Sequence, residues 1–174
     1  MAATKEVFEL TVKNSEMIPK FSHITFMEGI PGAGKSAAVD KLTVAFLLKY
    51  FPETLQKAFV AHVSEESAEQ LAKDSVIPEG QYQVFSRESL MKKVDPEWKE
   101  AEKDNEGNYV LNEEDFIITD DGEIIPNYTV PETDDIPSII IIDELSRYTY
   151  FDLYKINAFA KKYGISVITS GDLD

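Results

Sequence analysis

The stretch ITFMEGIPGAGKSAAVDKL, Ile24 to Leu42, decides how the rest of the chain is read. Gly29-Ile30-Pro31-Gly32-Ala33-Gly34-Lys35-Ser36 satisfies the spacing G-x-x-x-x-G-K-[ST] in full. HITFME in front of it reads as a buried strand, and AAVDKLTVAFLLKYF behind it as an apolar-faced helix from about Lys35 to Phe51. Glycines let backbone N–H groups curl around a β-phosphate, and the helix adds its positive end. Lys35 then reaches the β- and γ-phosphates, Ser36 ligates Mg²⁺, and the nucleotide-binding segment runs from Gly29 to Ala37. A glycine-rich turn that binds nothing is the bland alternative, and the strand and helix on either side argue against it.

The 174 residues suffice for one well-filled core, or one core with an insertion, so a single domain over 1–174 is expected. No cysteine occurs, which excludes disulfide scaffolds and thiolate metal sites and fits a reducing compartment. Two histidines, His23 and His62, are too few for a histidine-built metal centre. No signal-peptide pattern and no apolar run long enough to span a bilayer is present, so a soluble, cytoplasmic protein without a membrane partner is expected. The net charge of −15 is unevenly spread: fifteen acidic residues and two lysines lie between Asp95 and Pro137, net −13, leaving −2 for the rest. Residues 95–137 therefore read as an acidic insertion in a nearly neutral body.

Along the chain, VFELTV (7–12) alternates like a short strand that precedes the core. KAFVAHVS (57–64) reads as a strand, Glu65 to Lys73 as a helix with acidic residues in its first turn, YQVFS (82–86) as a third strand, and RESLMKKV as a short helix. Inside the acidic tract NYVLN, DFIIT and EIIPN are short β-like pieces, and DDG between the last two signals a hairpin. SIIIID (138–143) is a continuous apolar strand of the kind covered on both faces in a parallel sheet. YFDLYKINAFAKKYG is an amphipathic helix closed by Gly164, and ISVITS a last strand leading into GDLD. Alternating strands and helices predict an α/β fold, a mostly parallel sheet flanked by helices, with an acidic β-hairpin-like insertion.

Two further segments carry chemistry. Ile139 to Glu144 ends an apolar strand in two adjacent carboxylates, which places Asp143 at the metal through water and Glu144 where it polarises a water for attack on a γ-phosphate. Alone that pattern is weak, since acidic residues often end strands; about a hundred residues after a phosphate loop it gains force. In the additional-strand group of phosphate-loop ATPases the next strand lies between this one and the loop strand. Asp172 in ITSGDLD then points at the γ-phosphate and senses nucleotide state.

GIPGAGKS, IIIIDE, a helix and ITSGDLD together resemble motifs I, II and III of superfamily 1 helicases, over nearly the whole chain outside the acidic tract. The resemblance implies a first RecA-like motor domain of the P-loop NTPase class, with ATP and Mg²⁺ at the sheet edge and single-stranded nucleic acid, DNA in the first instance, across its top. It assigns Lys35, Glu144 and Asp172 to catalysis. It also sets Ala61, His62, Val63 and Ser64 on a strand-contacting loop, and Phe85 and Ser86 near the nucleic acid. The chain stops at Asp174, one residue short of the family's glutamine, so a fragment lacking the second RecA-like domain and its transition-state arginines is expected. No glutamine precedes Gln56, so the family's adenine-reading motif is not recognisable.

Two other classes compete. F-x-E-G-x-x-G-A-G-K-S also resembles the opening of thymidylate kinases, but Arg87 and Arg147 are the only arginines, too few to clamp two substrates and a transferring phosphoryl group. The other is a nucleotide-dependent interaction module whose acidic tract meets a protein partner; its charge repels phosphates, so it does not lie along nucleic acid. Trp98, Tyr109, Phe116 and Tyr128 are expected to form a small core in that tract, the alternative being aromatic contacts for bases or protein.

Overall fold

A computed structural model describes residues 5–8, 24–27, 57–74 and 80–170 of the chain. Its described strands are β1 (Lys5–Phe8), β2 (Ile24–Met27), β3 (Ala58–His62), β4 (Tyr82–Ser86), β5 (Glu102–Lys103), β6 (Tyr109–Asn112), β7 (Phe116–Ile118), β8 (Ile124–Pro126), β9 (Ile139–Ile142) and β10 (Ser166–Ser170). The described helices are α1 (Glu65–Asp74), α2 (Arg87–Val94) and α3 (Tyr150–Tyr163). The predicted helix over 35–51 lies outside the described residues.

Five strands form one sheet in the order β2-β10-β9-β3-β4, and every pairing in it is parallel. The isoleucine run explains why β9 is central. Ile139 and Ile141 turn to one face, packing with Ala58 and Val60 of β3 and with Ala68 and Ala72 of α1. Ile140 and Ile142 turn to the other, among Phe59, Leu90 and Met91 of α2, and Leu153, Ile156 and Phe159 of α3. All four isoleucines are at most 1% exposed, and burial of each such side chain stabilises by about 1.5–3 kcal/mol. The alternation follows from the two-residue period of a strand, so helices must cover both faces. The result is a parallel α/β sheet flanked by helices, compatible with Rossmann-like and RecA-like folds.

Local signals set the helix ends. Ser86 and Ser89 form a reciprocal capping box at the start of α2, and Thr149 and Asp152 form one at the start of α3. Gly164 ends α3 at φ 68°, the left-handed conformation glycine adopts without strain.

The first strand differs from its expected place. It spans Lys5–Phe8 and pairs antiparallel with β6, Lys5 opposite Asn112, so it joins the acidic segment rather than the core sheet. Residues 9–12 of the predicted strand lie outside the described ones. Strand β5, a two-residue piece beside β6, carries no apolar alternation by which sequence could signal it. The expected hairpin is present: β7 and β8 pair antiparallel around Asp120-Asp121-Gly122, with Gly122 at φ 82°. The expectation of a separate small core in the tract is corrected, because Trp98, Leu111 and Phe116 belong to the same hydrophobic cluster as α2, α3 and β9, with Tyr109 and Tyr128 packed against it.

Candidate active site

Because every strand of the main sheet is parallel, their carboxyl ends lie along one edge. The register fixes the order: Met27 of β2 is opposite Ser170 of β10, Thr169 opposite Ile142 of β9, Ile142 opposite Ala61 of β3, and His62 opposite Ser86 of β4. Strand β10 thus separates β2 from β9, which puts the end of β2 about 10 Å, two inter-strand spacings, from the end of β9. Gly29 to Ala37, including Lys35 and Ser36, follow β2 in sequence and lie outside the described residues, as does Asp172 beyond β10.

Connections leave β3 and β9 in opposite directions. Strand β3 leads through α1 outward to β4, whereas β9 leads through α3 back to β10. Between such strands lies the topological switch point, where ligands of open parallel sheets bind beyond the carboxyl ends. Asp143 and His62 occupy that point.

Asp143 is 6% exposed and held from several sides. Its backbone N–H donates to Ala61 O at 3.0 Å, continuing the β9 to β3 ladder by one residue. Its Oδ1 accepts the Glu144 N–H at 2.9 Å, and its Oδ2 lies 3.1 Å from His62 Nε2. The other ring nitrogen, Nδ1, accepts the Val63 N–H at 2.8 Å. In a neutral imidazole one nitrogen donates and the other accepts, so this pattern puts the proton on Nε2, facing Asp143.

Glu144 has φ 61° and ψ 53°, the one non-glycine residue with positive φ among the described residues. A left-handed glutamate costs energy of order 1–3 kcal/mol, and such outliers cluster at functional sites. The turn brings the Glu144 N–H onto the neighbouring carboxylate, while Leu145, fully buried, anchors the following 3₁₀ turn Leu145–Arg147.

Several of the residues expected along a nucleic-acid strand also make contacts inside the protein. Ser64 Oγ accepts the Ser67 N–H at 3.1 Å, at the start of α1. Phe85 stacks at a tilt on Phe59 with ring centroids 4.8 Å apart. Ser86 caps α2. Val63 is the exposed one, at 38%. His62, Ser64 and Ser86 nonetheless share the edge that carries Asp143.

Sequence reading passed over one buried carboxylate. Asp152, 4% exposed, accepts from Trp98 Nε1 at 3.0 Å, from Arg87 Nη1 at 3.1 Å and from the Thr149 N–H at 3.1 Å. Arg87 also pairs with Glu100 and lies over the Trp98 ring, 5.2 Å from its centroid. Burial opposes the Arg87 charge, but the Glu100 hydrogen bond and the Asp152 carboxylate outweigh it and raise its pKa. The signal available in sequence was Thr149-x-x-Asp152, a capping-box spacing.

Among the described residues no cluster of three or more His, Cys, Asp or Glu side chains could hold a metal by itself. A hard-oxygen donor such as Asp143 suits Mg²⁺, which keeps several waters and takes one or two carboxylates plus phosphate oxygens. No helix among the described residues is long and apolar enough to cross a membrane. Compared with known proteins, the chain matches no family model and no curated relative.

Proposed function

We propose that the chain is an ATP-binding, ATP-hydrolysing motor domain of the RecA-like, superfamily 1 helicase type, working in the cytoplasm on single-stranded DNA with Mg²⁺ as cofactor. The observation that carries this reading is the strand order. Strand β10, which leads to Gly171-Asp172, lies between β2, which leads to Gly29–Ser36, and β9, which ends at Asp143-Glu144. Three strands far apart in sequence thereby end along one sheet edge, and in sequence they run on into a phosphate-loop pattern, a carboxylate pair and a third acidic residue, which supports the reading. A nucleotide kinase gains no comparable support, since Arg87 is engaged by Asp152 and Glu100 and is committed to the fold.

In this reading Lys35 and the Gly29–Ala37 backbone bind the β- and γ-phosphates, and Ser36 and Asp143 hold the metal, Asp143 through water. Bound Mg²⁺ neutralises charge developing on the phosphoryl oxygens. Glu144 takes the proton of an attacking water. Asp172 reports the presence of the γ-phosphate. Transition-state arginines are worth about 10³ to 10⁵ in rate in related enzymes, and Arg87 is committed to the fold, so binding is the property to measure first.

The test is equilibrium binding of a fluorescent ATP analogue with Mg²⁺. Wild type binds, Lys35→Ala does not, and Glu144→Gln binds as wild type does. Turnover is then followed with single-stranded DNA and with nucleoside monophosphates. Stimulation by monophosphates and not by DNA would replace the motor reading with the kinase one.

A further inference from the structure

We propose that His62 is a positioning residue whose Nε2–H fixes the carboxylate of Asp143 in the one orientation that receives the hydrated Mg²⁺ of the nucleotide. This rests on the nucleotide reading above, and goes beyond it by taking His62 from the nucleic-acid strand and giving it to the metal.

Three observations converge. The Asp143 backbone is fixed by its bond to Ala61 O, so the carboxylate can move only by side-chain rotation. Both oxygens are then engaged from separate segments: Oδ1 accepts the Glu144 amide, and Oδ2 lies 3.1 Å from the His62 ring nitrogen Nε2. The His62 ring is itself set by the Val63 N–H on Nδ1, which fixes both its tautomer and its plane. Donors that hold a directly ligating carboxylate typically change metal affinity by 10- to 100-fold when removed, and the lower end of that range applies to Asp143, which meets the metal through water. A histidine that merely filled the sheet edge would need no defined tautomer and would leave metal affinity alone.

Side-chain length gives a sharp test. Glutamine carries its amide nitrogen where histidine carries Nε2, whereas asparagine carries it where histidine has Nδ1. His62→Gln can therefore still reach Asp143, and His62→Asn cannot. The Mg²⁺ concentration at half-maximal binding of a fluorescent ATP analogue is measured for wild type, His62→Ala, His62→Asn and His62→Gln, each first shown folded by circular dichroism. The Ala and Asn variants should need about tenfold more Mg²⁺ and the Gln variant no more than about twofold more, with Mg²⁺-free nucleotide binding unchanged in all.

Long-range ¹⁵N NMR of the histidine rings in the wild-type chain supplies a second readout, independent of any nucleotide. It should show His62 protonated on Nε2. A ring protonated on Nδ1 alone, or folded Ala and Asn variants with the wild-type Mg²⁺ requirement, overturns the proposal. Should wild type bind no Mg-nucleotide, the nucleotide reading fails and the metal role of His62 falls with it; the ring spectrum then shows separately whether the contact with Asp143 is real.

Discussion

Trp98 donates its indole N–H to Asp152 Oδ1 across 3.0 Å, joining the acidic segment to the helix that follows Asp143-Glu144. Arg87 completes the junction by binding the other oxygen of Asp152 and lying over the Trp98 ring. The acidic segment is thus part of the fold's closure. Trp98→Phe keeps most of the ring volume but withdraws a hydrogen bond from a buried carboxylate, so stability should fall by about 1–3 kcal/mol in urea denaturation. Replacing residues 95–137 by a short linker also strips Leu111 and Phe116 from the shared cluster, and cooperative unfolding should be lost. A deletion that still unfolds in one sharp transition would show that the main sheet closes its core alone.

Tyr148 is 2% exposed, and among the described residues its hydroxyl has no hydrogen-bond partner. An unsatisfied buried hydroxyl costs about 1–3 kcal/mol, so Tyr148→Phe should raise stability, by about 1 kcal/mol after the ring repacks.

The same burial dictates behaviour in alkali. Burial raises the phenol pKa of Tyr148, Tyr128 and Tyr150, and a hydrogen bond to Glu123 helps push Tyr150 up to about 12. Below about pH 10 these phenols are protonated in both folded and unfolded chains, and no stability depends on them. Above it the unfolded chain loses protons that the folded chain retains, so stability falls as pH rises through 10 toward 12. Urea midpoints between pH 8 and 12 should show this decline, and Tyr148→Phe should make it shallower. A decline of unchanged steepness in that variant would assign it to other groups.

Where pattern and burial speak with one voice, the sequence was sufficient. The isoleucine run, the 150–163 helix with its Gly164 stop, and the strand at 166–170 were legible because each follows a period or a cap. The strand order needed one further premise, the additional-strand pattern of phosphate-loop ATPases, which put β10 between β2 and β9. Long-range polar pairings were not legible. Nothing local in His62 points to Asp143, nor in Trp98 to Asp152, because hydrogen bonds between residues so far apart leave no periodic trace. The edge pairing of β1 with β6 was missed for a similar reason: a four-residue strand has no intrinsic preference for one sheet over another.

Ser86 tests whether a residue named for ligand contact is serving the fold. Its hydroxyl accepts the Ser89 N–H at 3.1 Å, and Ser89 Oγ accepts the Ser86 N–H at 2.9 Å. Ser86→Ala should cost about 1 kcal/mol in stability through loss of the cap. Ser86→Asp keeps a cap but adds a negative charge at the sheet edge. If DNA passes there, the Asp variant should keep its stability and lose affinity for single-stranded DNA, whereas equal affinity would take the strand elsewhere.

Glu144 combines strain and chemistry, and two substitutions separate them. Its left-handed backbone, φ 61°, is the conformation glycine takes without penalty, so Glu144→Gly should hold or raise stability, by up to about 1 kcal/mol once glycine's greater unfolded-state entropy is deducted. Glu144→Gln retains the strain and the side-chain length but cannot take a proton, so its stability should match wild type. Both should bind Mg-nucleotide, because the Asp143 contact uses the Glu144 backbone N–H, present in either variant. Both should suppress DNA-stimulated turnover, by about 10² or more if Glu144 is the general base. Denaturation midpoints, nucleotide titrations and phosphate release separate the outcomes: a Gln variant that hydrolyses at the wild-type rate removes Glu144 from the reaction, and a Gly variant much less stable than wild type shows that its side chain, and not the backbone turn, holds the segment in place.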